Sequence, residues 1–174
     1  MKYCAFLRGI NVNGTSMKMA EVMNVFTDAG MKEVSSVLAS GNILFSSDKK
    51  PSELKNILEK SMSEYFDYEA FLFLKNENEI IEIVSNNPFA KAEDLHIYTF
   101  VGIKGVEKLL MEEFAESIKT EDEKAEIIKN NFYWQVPKGN TLVSTFGKIL
   151  GKKKLKDKIT SRNINTFERI LKKL

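Results

Sequence analysis

The hydrophobic pattern of the first half of the chain predicts strands that alternate with helices. Met19, Val22, Met23 and Phe26 follow the three- and four-residue spacing of a helix with one face in the core. The same spacing recurs after Pro51, which suits the first turn of a helix because an N–H at that position would have no partner. Apolar runs predict four strands, at residues 2–8, 33–39, 42–47 and 70–74.

Turn residues separate these elements. Gly30 lies where the first helix is expected to end, and Ser40-Gly41 predicts a tight hairpin because glycine adopts a positive φ without strain. After the fourth strand, a short helix is expected to begin at a cap on Asn76 and to end at Asn86-Asn87-Pro88. The order predicted for the first half is therefore βαββαβ, followed by one more helix.

The second half of the chain starts this order again. The pattern predicts a strand at 97–101, a helix over 106–114 and a hairpin of residues 125–128 and 132–136, then helices at 144–150 and 165–174. Tyr133 and Trp134 are neighbours on one strand and point to opposite faces of the sheet. We therefore expect one of them in the core and the other exposed or in contact with a partner.

This restarted order predicts an α/β protein of the α+β type, with two tandem βαββ-containing units and predominantly antiparallel sheets. The expected domains are residues 1–87 and residues 88–174, joined in the stretch from Asn86 to Leu95. The second domain ends in a basic helical tail. A chain of 174 residues, 43% hydrophobic and 29% charged, has room for one substantial domain or two small ones.

Several classes of protein are disfavoured by the composition. There is no apolar run of about eighteen residues and no signal-peptide pattern, so a cytoplasmic location is expected. The only cysteine, Cys4, lies in an apolar run and is expected to be buried and inert, whereas the only histidine, His96, is expected at the surface. No metal site and no cofactor are predicted. Carboxylates such as Glu121-Asp122-Glu123 are expected to solvate loops.

Charge is distributed unevenly along the chain. From Lys148 to Leu174 there are ten basic and two acidic residues, a net charge of +8, so the remaining 147 residues carry −6 of the total of +2. Such a tail predicts a weak nucleic-acid contact or an acidic partner, and a solvated lysine-rich helix face explains the same composition.

Arginine is used sparingly, and its positions suggest where a ligand binds. Two of the three arginines lie in asparagine-bearing polar segments, Leu7–Gly14 and Thr160–Thr166, near the two ends of the chain. A guanidinium group offers a planar fork that fits carboxylate and phosphate, whereas lysine is a flexible point charge. The two segments are therefore the candidate binding regions.

The first segment predicts an anion site. A strand ends at Arg8, the loop Gly9–Ser16 follows, and a helix start would direct backbone N–H groups toward the space beside the arginine. Lys18 lies in the first helical turn, where the helix dipole disfavours a cation by roughly 0.3 to 1 kcal/mol, and a bound anion would offset that cost. The alternative is that Arg8 pairs with a carboxylate of its own chain and Lys18 points into water.

The same loop approaches the spacing of a phosphate-binding P-loop, with Gly9, four residues, Gly14 and then Thr15-Ser16. A P-loop requires lysine where Thr15 stands, and no predicted strand ends in an obvious magnesium-binding aspartate. The sequence therefore does not favour a nucleoside triphosphatase.

The C-terminal segment is the second component of the predicted site. Arg162 and its neighbouring asparagines could bind an anion, and Asn165 or Thr166 could equally cap the final helix. Ser40-Gly41-Asn42 is first a hairpin turn and second a site. The predicted ligand-binding residues are Arg8, Asn11, Asn13, Gly14, Lys18, Ser40, Asn42, Arg162, Asn163 and Asn165.

Five ordered motifs resemble a known family across almost the whole chain. They are Arg8-Gly9-Ile10-Asn11-Val12, Lys18-Met19, Ser40-Gly41-Asn42, Asn87-Pro88-Phe89 and Arg162-Asn163-Ile164-Asn165-Thr166. Together they are similar to the bacterial family known as domain of unknown function 1697. The resemblance implies a two-part α/β protein of ferredoxin-like character, and it implies no activity.

The chain also departs from that family pattern. Asn13 stands where a glycine is usual, and Ile164 replaces a frequent tryptophan. The second change removes an aromatic surface on which bases could stack, which weakens a nucleic-acid interpretation.

Two classes of function remain, and neither establishes or excludes an enzyme. The first is binding of an anionic, phosphate- or carboxylate-bearing ligand near the first strand, loop and helix. The alternative is an RNA- or protein-interaction module that uses the basic C-terminal region. We expect a localised pocket in the first case and an open basic surface in the second.

Overall fold

The computed structural model describes residues 1–10 and 17–174. The strands are β1 (Lys2–Arg8), β2 (Lys32–Ser36), β3 (Asn42–Ser46), β4 (Phe71–Asn76), β5 (Leu95–Gly102), β6 (Lys124–Ile128), β7 (Asn131–Pro137) and β8 (Ile159–Asn163). The helices are α1 (Met19–Asp28), α2 (Pro51–Phe66), α3 (Glu77–Ser85), α4 (Val106–Glu116), α5 (Thr145–Leu150) and α6 (Ile164–Leu171), with a 3-10 turn at Lys153–Leu155.

The chain forms two compact units. Met1–Ile81 and Glu168–Leu174 make the first unit, and Glu82–Phe167 makes the second. The division expected between residues 87 and 88 stays a prediction about where folding domains begin and end.

In the first unit, the sheet has the order β2-β3-β1-β4 and every neighbouring pair is antiparallel. This is the spatial order of a ferredoxin-like βαββαβ fold, with β1 at the centre. Phe6 of β1 lies opposite Asn42, and Arg8 lies opposite Phe71. The end of β1 and the beginnings of β3 and β4 therefore share one end of the sheet.

Alternation along β1 places every second side chain on the face that carries the main core of the first unit. Tyr3, Ala5 and Leu7 are buried there with side chains from α1 and α2 such as Phe26 and Leu58. Both helices occur where the hydrophobic spacing predicted them, and Gly30, at φ +86°, follows the end of α1 as expected.

The short helix α3 begins with reciprocal capping. The Oδ1 atom of Asn76 accepts from the backbone N–H of Glu79 at 3.0 Å, and Oε2 of Glu79 accepts from the N–H of Asn76 at 2.9 Å. Two backbone donors at the helix start are thereby satisfied, which confirms the predicted cap.

The second unit repeats the order of the first. Its sheet is β6-β7-β5-β8, again antiparallel at every pair, so β5, β7, β6 and β8 take the places of β1, β3, β2 and β4. The core under this sheet is largely aromatic, and Phe146 of α5 contacts Phe100, Phe114, Phe132 and Trp134 at ring-centroid distances of 5.0 to 6.4 Å. The predicted pair of ferredoxin-like units is confirmed.

The sequence did not predict β8. Residues 159–163 contain polar side chains and only one large apolar residue, Ile159, so they lack the run of apolar positions that identifies a strand. Pairing with β5, in which Thr99 lies opposite Arg162, makes this segment a strand and completes the βαββαβ order.

Two expectations about burial are wrong. Tyr133 and Trp134 are both buried, because the Tyr133 hydroxyl reaches the Ile83 carbonyl at 2.9 Å on one face while Trp134 packs against Phe146 on the other. Glu123 does not solvate a loop, because its side chain is buried and accepts a hydrogen bond from the Trp134 indole at 3.1 Å.

Candidate functional site

The candidate site lies at the end of β1 in the first unit. Arg8 is the last residue of β1 and is half-buried, and Gly9 follows with φ +74°. Because β1 is the central strand of the sheet, this end is flanked by the beginnings of β3 and β4. Arg8 is therefore held on a rigid element, as the sequence predicts.

The turn between β2 and β3 packs against the same end of β1. The Leu7 N–H donates to the Gly41 carbonyl at 2.8 Å. A Cβ atom at position 41 would lie 2.6 Å from Cδ1 of Ile10 and 3.0 Å from Cβ of Leu7, and the residue has φ +73°. Only glycine fits this close approach, which brings the Ser40-Gly41-Asn42 motif against the Arg8-Gly9-Ile10 segment.

Asn42 holds the turn closed from inside. Its fully buried amide donates to the Val37 carbonyl at 2.9 Å and to Oγ of Ser40 at 3.0 Å. Its backbone carbonyl accepts from the Val37 N–H at 2.9 Å. The structure therefore places Asn42 as a support of the turn, with Ser40 exposed at its surface.

Lys18 lies at the beginning of α1. It occupies the N-cap position, its side chain is exposed, and it makes no side-chain cap. An ammonium group has no acceptor, so it cannot bind the N–H groups of the first turn of the helix. Asn11, Asn13 and Gly14 lie outside the described residues, and their predicted role stays a prediction.

The remaining predicted residues belong to the second unit. Nη1 of Arg162 donates to Oγ1 of Thr160 at 2.7 Å and to the Ser161 carbonyl at 2.8 Å. Oδ1 of Asn163 accepts from the Asn165 N–H at 3.0 Å, so Asn163 caps α6 rather than Asn165 or Thr166. Sequence alone could not decide among these caps because the first residue of the helix was uncertain.

Two features near the predicted residues were missed in the sequence. His96 is half-buried, with Nδ1 lying 3.3 Å from Nδ2 of Asn163, a contact that depends on the unpredicted pairing of β8 with β5. Leu38 is 44% exposed with φ +60°, in the turn whose Gly41 packs against Leu7 and Ile10. The strand predicted over residues 33–39 is too long at its end, because β2 ends at Ser36 and residue 38 lies in the turn.

Residues 1–10 and 17–174 hold neither a cluster of metal-ligating side chains nor a helix that could span a membrane. These ranges contain no group of three or more histidine, cysteine or acidic side chains placed to hold a metal ion. None of their helices combines the length and the apolar character needed to cross a membrane.

Comparisons with known proteins identify the family and the fold. The family model described as "Protein of unknown function (DUF1697)" matches residues 1–133. The structure of the conserved bacterial protein SP0830 from Streptococcus pneumoniae is similar with a TM-score of 0.79 and 24% sequence identity, covering 99% of this chain and 97% of that one. A comparison with curated proteins gives no match. The structural similarity supports the fold alone.

Proposed function

We propose that this chain, which belongs to the DUF1697 family, binds a phosphate- or carboxylate-bearing ligand at the end of β1 in its first unit. The observation that carries the proposal is the close packing of the Arg8-Gly9-Ile10 segment against the turn that contains Gly41. A guanidinium group on a rigid strand, beside a turn held by backbone hydrogen bonds, is suited to bind an anion in one orientation.

The start of α1 supports the same ligand chemistry. Lys18 is a second cation, at the N-cap of α1, and the positive end of the α1 dipole favours an anion at the start of that helix. Arginine would bind two oxygen atoms of the ligand through its planar fork, and lysine would neutralise the remaining charge. These roles require no metal ion and assume no reaction.

The test separates ligand binding from folding. A thermal-shift screen of nucleotides, phosphorylated metabolites and dicarboxylates identifies ligands, and titration calorimetry then compares the wild type with Arg8→Ala. We expect affinity to fall by at least about 10-fold, since each lost charge-assisted hydrogen bond is worth about 1.5 to 3 kcal/mol and the guanidinium group can make two. Arg8→Lys should recover part of the affinity because it keeps the charge but loses the fork.

Arg169→Ala is the matched control, because Arg169 is an exposed arginine on α6 in the same unit. It should leave ligand affinity unchanged. If Arg8→Ala mainly lowers the melting temperature and ligand affinity survives, Arg8 serves the fold and the proposal is wrong.

We also propose a second candidate, a weak and sequence-unselective contact with nucleic acid through residues 152–158. Lys152, Lys153 and Lys156 are exposed, and the buried Leu155 anchors the segment to the core of the second unit. Lysines without nearby stacking groups would contact phosphates rather than bases. RNA titrations at several salt concentrations test this, because binding that barely weakens with salt contradicts it.

A further inference from the structure

Leu38 has a backbone conformation that disfavours its side chain. It adopts φ +60° in the turn between β2 and β3, a region that glycine and asparagine enter readily and that a bulky residue rarely enters. Its side chain is also 44% exposed, so the fold gains little from burying it. The strain of a leucine in this conformation is therefore only partly offset by the burial of its side chain.

Among the described residues, the other non-glycine residues with positive φ adopt this conformation for identifiable structural reasons. Asp67 ends α2 in the left-handed conformation, and Lys129 and Asn130 form the two-residue turn between β6 and β7. Glu33 lies where the register of β2 shifts, and it accepts a hydrogen bond from Oγ of Ser46 at 2.5 Å. Leu38 is the apolar member of this set.

The conformation of Leu38 is imposed by its surroundings. Val37 is bound to Asn42 through backbone and side chain, and Gly41 is bound to Leu7. These contacts hold the turn closed whatever side chain stands at position 38. The turn requires the backbone conformation but not the leucine, and strain that persists in this way concentrates at ligand-binding sites.

We infer that Leu38 is an apolar contact for the body of the ligand whose anionic group binds beside Arg8. This inference rests on the proposed function and specifies its ligand class, a phosphate or carboxylate that carries an aliphatic or aromatic substituent. The anionic head lies at the end of β1, and the substituent lies along the neighbouring turn and covers the exposed leucine. Transfer of that apolar surface out of water adds to the affinity of the anion.

The experiment is a chain-length series measured by titration calorimetry. The probes are methyl, butyl and hexyl phosphate, together with acetate, butanoate and hexanoate. In the wild type, affinity in at least one series should rise about twofold per methylene, as expected for half burial of each group. In Leu38→Asn the rise should disappear, while the affinity for the shortest member of that series stays within about twofold of the wild type.

The melting temperature of Leu38→Asn is a second readout, and a role in ligand binding predicts a different change in it than a role in folding. Asparagine accepts the left-handed conformation, so Leu38→Asn should leave the melting temperature unchanged or raise it. A residue that served folding would lower the melting temperature when replaced. Leu142→Asn is the matched control, because Leu142 is 80% exposed in the second unit and its replacement should preserve the chain-length dependence.

The outcomes distinguish this inference from the function on which it rests. If no member of either series binds in a manner that depends on Arg8, the role of Leu38 is overturned, and the ligand screen with Arg8→Ala decides the proposed function separately. If the short anions bind and require Arg8, but affinity does not rise with chain length or the rise survives in Leu38→Asn, the proposed function stands and the role of Leu38 is overturned.

Discussion

Single buried polar groups determine the shape of the turn at the candidate site. The Asn42 amide has no exposure to solvent, and its two hydrogen bonds satisfy the Val37 carbonyl and orient Ser40. A buried carbonyl without a hydrogen-bond donor is destabilising, because it has lost its water and gained no partner. This penalty is larger than the net stabilisation from an average hydrogen bond. Asn42 is thus more important for the fold than its place in a turn suggests.

Asn42→Ala should lower the free energy of unfolding by about 1 to 3 kcal/mol, because it removes the donor to the Val37 carbonyl and leaves a small cavity. Urea denaturation measures this change. Asn24→Ala, at an exposed position of α1, is the control and should be neutral or slightly stabilising because alanine favours helix. Equal stability of the two variants would show that Asn42 is not a support of the turn.

At the scale of an element, β4 is one of the two edge strands of its sheet, and its outer backbone groups need partners. Lys55 and Glu59 of α2 form an ion pair that supplies them. The Leu72 N–H donates to Oε1 of Glu59 at 3.0 Å, and Nζ of Lys55 donates to the Leu72 carbonyl at 2.7 Å. This pair of side chains takes the place of a neighbouring strand at one residue.

Glu59→Ala should therefore leave the Leu72 N–H without its acceptor and lower the free energy of unfolding by roughly 1 kcal/mol. The loss is this small because the Glu59 carboxylate is partly solvated. Hydrogen exchange followed by NMR should show faster exchange at Leu72. Glu59→Gln retains an acceptor and should restore part of the protection. Glu64→Ala, an exposed position on the same helix, is the control, and an unchanged Leu72 rate in Glu59→Ala would contradict the interpretation.

Over the whole molecule, each unit contains one tyrosine with a strongly raised pKa. Burial, and secondarily the nearby Glu59 carboxylate, raises the pKa of Tyr68 in the first unit to about 12. Burial, and secondarily Glu82, raises the pKa of Tyr133 in the second unit to about 12. In both cases the surroundings favour the neutral phenol over the phenolate.

Both units should consequently lose stability in alkaline solution. A folded-state pKa above the ordinary value of 10.0 means that the unfolded chain releases its proton first, so the contribution is complete below pH 10 and is lost as pH rises toward 12. Urea denaturation between pH 8 and pH 11.5 measures the loss. Tyr68→Phe and Tyr133→Phe should each reduce the slope above pH 10.

Titration of Tyr68 and Tyr133 at the ordinary tyrosine pKa of 10.0 would contradict the predicted loss of stability. The absorbance of the phenolate reports the titration directly, and Tyr133→Phe should remove part of the component that titrates near pH 12. Tyr133→Phe should also cost about 1 kcal/mol at neutral pH, because the Ile83 carbonyl loses its donor.

Much of the fold could be predicted from the sequence, and the candidate site only in part. Helices such as α1 and α2 carry their core contacts at a fixed spacing, which a sequence displays directly. The location of Arg8 at the end of a strand followed from the apolar run before it. The strained Leu38 could not be predicted, because its conformation results from contacts of the turn with Leu7 and Asn42.

The sequence by itself determined the order of elements except for β8, and the existence of two similar units, because local periodicity and turn residues act over short stretches of chain. Only the tertiary structure decided that β8 pairs with β5 and that the Gly41 turn packs against β1. It also decided that Glu123 is buried and that β7 is buried on both faces. Each of these depends on residues far apart in sequence, whose contacts leave no local pattern.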